Sequence, residues 1–376
     1  MGVKTKIMSD HFKRDCFEIL TRRAAAGEID RRSFVKAAAL LLSVPVAMRA
    51  KMAFAGDQLV IANWGGDAIE AFQKAFGERF TQETGIAVRI DGSGPTEGAI
   101  KAQITSGKVI WDVVDADANL GIAFGKEGVL EALDYNVIDR AKIRKGYDYE
   151  FGTAGYFFSY VLAYDSAKFS DEAPKSPADF WNVDKFPGKR TMYKWMNGML
   201  EAALLADGVK PEELYPLNIE RALAKIEELK PHIISFWGSG AESQQLLLEG
   251  EATMGYIWNT RAILLGRDTS DQIKWGYEGG FLNSSTWITP KGNPAGRDNA
   301  MRFIASSQDA LSQVALFDLL GNGPANPQAD ALIPDDKKAL NCVSPEAEAK
   351  QVTLSAEWYA DNYSSALEKF LALVSK

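Results

Sequence analysis

The stretch VIANWGGDAIEAFQKAFGERFTQETGIAVRI, residues 60–90, predicts a strand, a helix and a second strand in that order. Apolar residues at 58–62 and 86–90 favour strands, and the amphipathic spacing over 66–83 favours a helix between them. A helix at 96–106 and a strand at 109–114 continue the alternation. Strands that follow one another through a helix normally lie parallel, so the sequence predicts an α/β fold built on a parallel sheet.

Segments rich in small and polar residues follow each of these three strands. They are Asn63-Trp64-Gly65-Gly66-Asp67, Asp91-Gly92-Ser93-Gly94-Pro95 and Asp115-Ala116-Asp117-Ala118-Asn119. Open α/β sheets bind their ligands outside the carboxyl ends of the strands. We therefore expect the three segments to meet at one edge of the sheet and to form part of a binding site.

The segment before the first strand, from Asp30 to Gly56, has the features of a twin-arginine export signal. Arg31-Arg32-Ser33-Phe34-Val35-Lys36 contains the arginine pair, 37–48 forms a short apolar core, and Ala53-Phe54-Ala55 is an A-x-A cleavage site. A second pair, Arg22-Arg23, lacks the following Phe and Lys. We predict export of the folded chain by the twin-arginine machinery, cleavage after Ala55, and a mature periplasmic protein that begins at Gly56.

The alternative for 37–48 is a transmembrane helix or a buried core helix. At about 1.5 Å per residue this run spans only about 18 Å, which is short of the roughly 30 Å hydrocarbon core of a bilayer. Pro45 also interrupts the run. The export signal is therefore the preferred interpretation.

The charge balance changes when the predicted leader is removed. The whole chain has a net charge of −8, but residues 1–55 hold 5 of its 50 acidic and 11 of its 42 basic residues, which leaves −14 on the mature part. Such an acidic chain argues against nucleic acid or an anionic membrane surface as the main partner.

Cysteine and histidine are scarce in the mature part. Cys16 lies in the leader, so Cys342 remains alone and no intramolecular disulfide is expected. His232 is the single mature histidine, which removes most metal sites and most Ser-His or Cys-His catalysis. We expect no metal and no cofactor.

The rest of the chain continues the alternation of strands and helices. Strands are predicted at 190–192, 232–236 and 253–258, and helices at 198–206, 218–229, 243–249, 299–305, 310–319 and 356–370. About 320 mature residues exceed what one hydrophobic core usually serves, so two lobes are expected. Because no linker of distinct composition separates them, the chain is expected to cross between the lobes more than once.

Six segments in order carry a family resemblance over the mature chain. They are residues 60–90, WDVVDADANLGIAFGKEGVLEALD (111–134), LAYDSAKF (162–169), SPADFWNVDKFPGKR (176–190), LLEGEATMGYIWNTRA (247–262) and EGGFLNSSTWITPKGNP (278–294). Together they resemble periplasmic solute-binding proteins of the spermidine/putrescine type.

The resemblance implies a two-lobed type II periplasmic-binding fold of class α/β. Each lobe would be a mixed, mostly parallel sheet flanked by helices, with the ligand cleft between the lobes. Lobe one is predicted at 57–161 plus 282–322, and lobe two at 162–281 plus 323–376. The implied function is a non-enzymatic, monomeric solute-binding component of an ABC importer, which delivers its solute to an inner-membrane permease.

Candidate ligand-binding residues lie on the strand-end segments and at the crossings between lobes. They are Trp64, Gly65, Asp67, Ser93, Asp115, Asp117, Tyr160, Lys194, Trp195, Trp237, Ser239, Trp258, Asn259, Arg261, Asn283 and Ser285. The resemblance places Trp64 and Trp258 at aromatic ligand positions, where each would otherwise be a core tryptophan. Asp115 and Asp117 could bind an ammonium group, and the alternative for them is helix capping or solvent exposure.

The sequence departs from polyamine binders at two acidic positions. Lys194 lies where the family places acids after the first strand of lobe two, and Asn283, Ser284 and Ser285 replace a Trp and an Asp after EGG. Remaining acids are Asp67, Glu97, Asp115, Asp117 and Glu278. A polyamine or related zwitterion is the first expectation for the solute.

Lys194 and Arg261 could instead clamp a carboxylate or phosphonate. An amino-acid, opine-like or phosphonate solute is therefore the alternative.

Two other classes share this architecture. Ferric-ion binders use an adjacent tyrosine pair, which this chain lacks. A thiamin-degrading enzyme uses a cysteine nucleophile, for which Cys342 is the candidate, but no base lies near it in the sequence. An enzyme is the less favoured interpretation.

Overall fold

The computed structural model describes residues 58–169 and 172–375. The predicted export signal and its cleavage site lie outside the described residues. Within the described ranges, none of the helices combines the length and the apolar character that spanning a membrane requires.

The fold is mixed α/β, as the sequence predicts, and the 11 described strands form one sheet rather than a separate sheet in each lobe. The strands are β1 Gln58–Ala62, β2 Ala87–Asp91, β3 Val113–Asp117, β4 Asp148–Tyr149, β5 Gly152–Asp165, β6 Arg190–Tyr193, β7 Ile233–Trp237, β8 Met254–Trp258, β9 Ile273–Ile288, β10 Gly323–Pro324 and β11 Gln351–Thr353.

Helices flank this sheet. They are α1 Asp67–Phe72, α2 Glu78–Thr84, α3 Glu97–Ser106, α4 Ala118–Lys126, α5 Pro177–Trp181, α6 Met199–Ala206, α7 Ile219–Leu229, α8 Gly240–Leu248, α9 Asn259–Asp268, α10 Arg297–Ser307, α11 Ala310–Leu320, α12 Pro345–Glu348 and α13 Ala356–Val374. Short 3-10 turns include Lys230–His232 and Pro327–Leu332.

The opening strand–helix–strand unit is confirmed. β1 pairs in parallel with β2 on one side and with β3 on the other. The predicted helix at 66–83 is α1 and α2 joined by a π-helical turn at Gln73–Gly77, and it ends where Gly85 takes a left-handed conformation. The predicted helix at 96–106 is α3, with Thr96 as its N-cap.

The third strand differs from the prediction at both ends. The prediction placed it at 109–114, whereas β3 begins at Val113 and runs to Asp117. Before it, the Asp112 carboxylate accepts hydrogen bonds from the N–H groups of Val60 and Ala295. Beyond Val114 the strand continues because β9 pairs with it in antiparallel register, Asp115 opposite Trp287 and Asp117 opposite Ser285.

Two long antiparallel strands, β5 and β9, occupy the centre of the sheet. The strand order is β2-β1-β3-β9-β5-β8-β6-β7, with β4 and β10 on β5 and β11 on β9. The pairing of β5 with β9 shifts register between Tyr160 and Leu162, at the predicted crossing between lobes. The lobe boundaries themselves stay a prediction.

The later helices and strands follow the prediction, with small changes at their ends. The predicted helices at 198–206, 218–229 and 243–249 are α6, α7 and α8. Helix α9 and the full lengths of β5 and β9 were not predicted. β5 is apolar or small over most of its length, so hydrophobic periodicity alone does not separate strand from helix there.

The core consists of three hydrophobic clusters. The largest packs around β5 and β8 with α6, α7 and α13. The other two lie on opposite sides of β1, because Leu59 and Ile61 point to one and Val60 and Ala62 to the other. Burial of both faces is typical of a parallel sheet, and it leaves the strand ends as the accessible part.

Candidate functional site

A cavity of about 310 Å³ lies at the carboxyl ends of the strands. Trp64 follows β1, Asp117 ends β3, Tyr193 ends β6, Gly238 follows β7 and Trp258 ends β8. The strand-end segments after β1 and β3 therefore meet here, as predicted, whereas the third predicted segment, 91–95 after β2, lines neither this space nor its neighbour. We call this space the main cavity.

The main cavity brings together ten of the predicted residues. These are Trp64, Gly65, Asp67, Asp115, Asp117, Tyr160, Ser239, Trp258, Arg261 and Ser285. The side chain of Trp64 is 38% exposed, so its ring forms part of the open lip of the cavity.

The acidic side of the main cavity is formed by Asp115 and Asp117. The Asp115 carboxylate accepts hydrogen bonds from the hydroxyl groups of Ser285 and Tyr156, the latter at 2.9 Å. Burial nevertheless raises the pKa of Asp115 to about 7. Asp117 accepts a hydrogen bond from the Asn283 amide at 3.2 Å, and burial raises its pKa to about 6.

Asp117 occupies the N-cap position of α4, but its side chain makes no capping hydrogen bond. The helix-capping alternative for this carboxylate therefore does not apply. Its position at the strand end makes the carboxylate part of the cavity wall. A cation in the cavity would relieve the cost of its burial, because a nearby opposite charge favours the ionised form.

Aromatic rings surround the acidic side. The ring centroid of Tyr193 lies 4.4 Å from that of Trp237, 5.1 Å from Trp195, 5.5 Å from Tyr160 and 5.7 Å from Trp258. Aromatic faces attract cations and cover alkyl chains. This cluster can therefore hold an alkylammonium group beside the two carboxylates.

The basic side of the main cavity is formed by Arg261 in the first turn of α9. Its Nη1 lies 3.2 Å from Asp67 Oδ2 and 3.3 Å from Gln244 Oε1. The Arg261 side chain is only 13% exposed, whereas that of Asp67 is 69% exposed. Gly240 makes room for it, since a Cβ atom there would lie 2.3 Å from Arg261 Nε.

Helix N-termini add positive potential to the basic side. Ser239 caps α8 by accepting a hydrogen bond from Glu242, and Gly240 and Ala241 of its first turn line the cavity. First-turn N–H groups have no partner within their own helix, and the helix dipole favours anions there. The basic side is therefore suited to a carboxylate.

A second chamber of about 200 Å³ adjoins the main cavity. Trp64, Asp117 and Tyr193 line both spaces. The remaining wall contains Thr96, Glu97, Gly98, Lys101, Leu120, Trp195, Asn197, Tyr363 and Leu367. The predicted residue Trp195 and the candidate acid Glu97 thus lie here rather than in the main cavity.

The comparison with protein families decides the class of this site. The family profile of the bacterial extracellular solute-binding proteins matches residues 75–341. The chain belongs to this family. It is the solute-binding component of an ABC transporter and works with a membrane permease.

Relatives of this solute-binding protein extend over most of the chain. It is 32% identical over 326 residues to the gamma-aminobutyric acid-binding protein of Pseudomonas aeruginosa, which covers 85% of this chain and 92% of the relative. The spermidine/putrescine-binding periplasmic protein 1 of Haemophilus influenzae is 25% identical over 193 residues, or 48% of this chain and 52% of the relative.

Solved structures confirm the predicted fold class. The Atu4243 gamma-aminobutyric acid (GABA) receptor is 34% identical with a TM-score of 0.78, over 85% of this chain and 98% of that chain. The PBP MotA from A. tumefaciens B6, solved in complex with glucopine, is 30% identical with a TM-score of 0.79, over 84% and 99%. The solute-binding protein therefore has the two-lobed periplasmic-binding architecture.

Five predicted residues of the solute-binding protein lie outside the linings of both chambers. They are Ser93, Lys194, Trp237, Asn259 and Asn283. Ser93 and Lys194 are exposed, and Trp237 is fully buried behind Tyr193.

Asn259 and Asn283 support the site through hydrogen bonds. The Asn259 side chain accepts from the Ser159 N–H and donates to the Gly321 carbonyl, which ties α9 to β5 and to the end of α11. Asn283 donates to Asp117. Glu278, a further candidate acid, pairs with Lys350 at 2.8 Å.

Several residues of the main cavity are not among the 16 predicted ligand-binding residues, although Gly66 lies in the predicted strand-end segment after β1. They are Gly66, Ala68, Phe72, Tyr156, Phe158, Tyr193, Gly238, Gly240, Ala241, Gln244, Thr260, Leu264, Leu320 and Asn322. The predicted residues include Lys194 and Trp195 but not their neighbour Tyr193. Its position at a strand end could have indicated it. Tyr193 is the last residue of β6, just as Asp117 and Trp258 are the last residues of β3 and β8, and all three line the cavity.

Cys342 lies in the largest hydrophobic cluster and is fully buried. Burial raises the pKa of its thiol to about 12, so the reactive thiolate is disfavoured there. Among the residues that the structure describes, no group of three or more His, Cys, Asp or Glu side chains could hold a metal ion.

Proposed function

We propose that this solute-binding protein captures a small zwitterionic ω-amino acid such as GABA. The observation that carries the proposal is the pairing of two carboxylates and an aromatic cluster on one side of the main cavity with Arg261 on the other side. A solute with separate ammonium and carboxylate ends satisfies both sides at once.

The ammonium end would lie at the acidic side. Asp117 and Asp115 supply the opposite charge, and Tyr193 and Trp258 supply ring faces. A charge-assisted hydrogen bond to a buried carboxylate is about twice as strong as a neutral one. Each cation–π contact adds roughly 0.5 to 2 kcal/mol.

The carboxylate end would lie at Arg261. The guanidinium group has five N–H donors, of which Nη1 already faces Asp67 and Gln244, so further donors are available for a carboxylate. The first-turn N–H groups of α8 lie in the same wall. Arg261 thus takes the role predicted for it in the alternative solute assignment.

A polyamine fits the main cavity less well. Its second ammonium group would face Arg261 on the basic side, and like charges in a partly dry cavity repel. The similarities point the same way, because the GABA-binding relative matches 85% of the chain and the polyamine-binding relative matches 48%. Both support the amino-acid alternative over the polyamine expectation.

Export and assembly belong to the same proposal. The protein is exported by the twin-arginine route, is cleaved after Ala55, and acts as a periplasmic monomer without catalysing a reaction. The arginine pair and the A-x-A site support the route. The buried Cys342 thiol supports the absence of catalysis, and a Cys342→Ala variant should bind its solute without change.

A ligand panel tests the proposed function. Purified protein is mixed with GABA, glucopine, putrescine and spermidine, and melting points and calorimetric Kd values are measured. A solute at 100 times its Kd stabilises the folded state by about 2.7 kcal/mol, which raises the melting point by several degrees. Binding of the polyamines but not of GABA or glucopine would contradict the zwitterion assignment.

A further inference from the structure

Helix α9 carries Arg261 in its first turn, and the start of this helix is held by tertiary contacts. Trp258 occupies the N-cap position, but its side chain makes no capping hydrogen bond within the described residues. The side chain of Asn259, the first residue of the helix, is fully buried and makes two hydrogen bonds to backbone groups of other elements. These two bonds fix the first turn of α9 in place of a local cap.

The first of these bonds continues the pairing of β5 with β8 beyond the end of β8. The last paired residues are Tyr160 and Trp258. One residue further the chain of β8 has turned into α9, so its backbone no longer runs beside Ser159. The Asn259 side-chain oxygen accepts the Ser159 N–H instead, at 2.9 Å. Without this oxygen a buried backbone donor would lose its partner, at a cost comparable to a lost hydrogen bond.

The second bond joins α9 to the end of α11. The Asn259 side-chain nitrogen donates at 3.0 Å to the carbonyl of Gly321, which ends α11 in a left-handed conformation. Ile263 packs against the same glycine, since a Cβ atom there would lie 2.3 Å from Ile263 Cδ1. Residues four apart share one face of a helix, so this face of α9 rests on the end of α11.

A different face of α9 lines the main cavity. Thr260, Arg261 and Leu264 all belong to the cavity wall. Because about 3.6 residues make one helical turn, Arg261 lies on nearly the opposite side of the helix from Asn259. The helix is therefore held on one side and presents the guanidinium on the other, so a shift of its first turn would move the guanidinium.

We propose that Asn259 is a positioning residue for the solute's carboxylate and acts through Arg261. By holding the first turn of α9 against Ser159 and Gly321, it fixes the guanidinium at the basic side without contacting the solute. Both partners lie within two residues of a predicted lobe boundary, so the same side chain also ties the basic side to the predicted crossings. This inference rests on the proposed function, because it takes the carboxylate position from Arg261.

A double-mutant cycle tests the inference. Calorimetry measures the Kd of GABA for the wild type, for Asn259→Ala, for Arg261→Gln and for the double variant. In the wild-type background, Asn259→Ala should weaken GABA about tenfold, because the guanidinium is no longer fixed. In the Arg261→Gln background the same change should weaken GABA less than twofold, since no guanidinium remains to be positioned.

Asn326→Ala is the matched control for the loss of a buried amide. The Asn326 side chain is fully buried, accepts from the Gln328 N–H at 2.9 Å and donates to the Gln308 carbonyl at 2.8 Å, outside the linings of both chambers. Its loss should lower the melting point about as much as Asn259→Ala does and leave the Kd of GABA within twofold. A tenfold loss of affinity in this variant would show a general effect of destabilisation and would overturn the positioning role.

A second variant keeps the test decisive if Asn259→Ala does not fold. Ile263→Ala reduces the other contact with Gly321 and leaves every buried polar group with its partner, so we expect it to fold, which its melting point verifies. It should weaken GABA about threefold in the wild-type background and leave the affinity of Arg261→Gln unchanged. Equal losses in both backgrounds would contradict the positioning role.

The outcomes separate the two proposals. If Arg261→Gln weakens GABA but Asn259→Ala has no effect, or has the same effect in both backgrounds, the positioning role is wrong and the proposed function stands. If GABA does not bind, or if Arg261→Gln leaves its affinity unchanged, the proposed function fails, and the positioning role fails with it.

Discussion

The acidic and basic sides of the main cavity are built in different ways. Asp115 and Asp117 lie within β3, where Tyr156, Ser285 and Asn283 from the central strands hold their carboxylates. The acidic side is therefore preorganised by one sheet.

The basic side depends on a contact between distant parts of the chain. Arg261 on α9 reaches Asp67 on α1, 194 positions away, and the predicted lobe boundaries put these residues in different lobes. The acidic side is therefore held within one sheet, whereas the basic side includes a contact between parts of the chain that are distant in the sequence.

Removing the basic side should have the largest effect. In Arg261→Gln the guanidinium is lost, and affinity for GABA should fall about 100-fold, since a hydrogen bond to a charged group contributes about 1.5 to 3 kcal/mol. Calorimetry measures the change. Arg267→Gln on the same helix is the matched control, because Arg267 is exposed and pairs with Asp268. Equal losses in both variants would contradict the assigned role.

The acidic side should be sensitive to pH. An ammonium group binds the ionised carboxylates, so affinity should be highest above the pKa values of Asp115, about 7, and Asp117, about 6, and should fall as the pH drops through them. Well below a carboxylate's pKa, the loss approaches about tenfold per pH unit for each required ionisation. Kd values measured between pH 8 and pH 5 provide the profile. The slope of the binding free energy against pH reports how many protons are gained or lost on binding.

Two variants identify the group whose titration causes this pH profile. Asp117→Asn should remove its own contribution near pH 6, leave the titration of Asp115 in place and lower the affinity at neutral pH. Glu201→Gln is the control, because burial also raises the pKa of Glu201 to about 7 but this carboxylate is held by Tyr215 and Tyr359 outside both chambers. A profile that flattens in Glu201→Gln instead would place the titrating group elsewhere.

The aromatic cover of the acidic side should contribute less than the charges. Trp64→Ala removes a ring at the lip of the cavity, and affinity for GABA should fall about tenfold while the melting point of the unliganded protein stays nearly constant. The side chain is 38% exposed, so little core packing is lost. Trp64→Phe should recover part of the affinity, and unchanged binding in Trp64→Ala would return this residue to a purely structural role.

Crowding the basic side should have the smallest effect. Gly240→Ala introduces a methyl group only 2.3 Å from Arg261 Nε and should displace that side chain, with an expected loss of about threefold to fivefold in affinity. Gly266→Ala on the same helix as Arg261 is the matched control, because its nearest neighbour would be Asp271 Oδ1 at an ordinary 3.6 Å. A loss in both variants would indicate a general effect of the added methyl group.

The sequence predicts the strand-end origin of the site, because parallel strands place their carboxyl ends at one edge. Trp64, Asp115 and Asp117 follow from that rule. The rule fails at Asn259, since the side chain after β8 turns toward the backbone of β5 and α11 rather than toward the cavity. Which way a side chain turns after a strand depends on partners that are distant in the sequence.

The pairing of Arg261 with Asp67 and the second chamber also require the folded chain. Tyr363 reaches the second chamber from α13, although the prediction assigned that helix only a helical pattern. Nothing in the local sequence of α13 indicates which face meets α3 and α4. These contacts are set by tertiary packing and not by periodicity.

The exposure of Trp64 has a practical consequence for measuring occupancy. Indole fluorescence shifts to shorter wavelength when water around the ring is replaced by apolar or bound groups. Trp64 is the one tryptophan among the large exposed apolar side chains in the described ranges, and it borders both chambers. Solute binding should therefore shift the intrinsic tryptophan emission wavelength of the unlabelled protein, so occupancy can be followed without an added fluorophore.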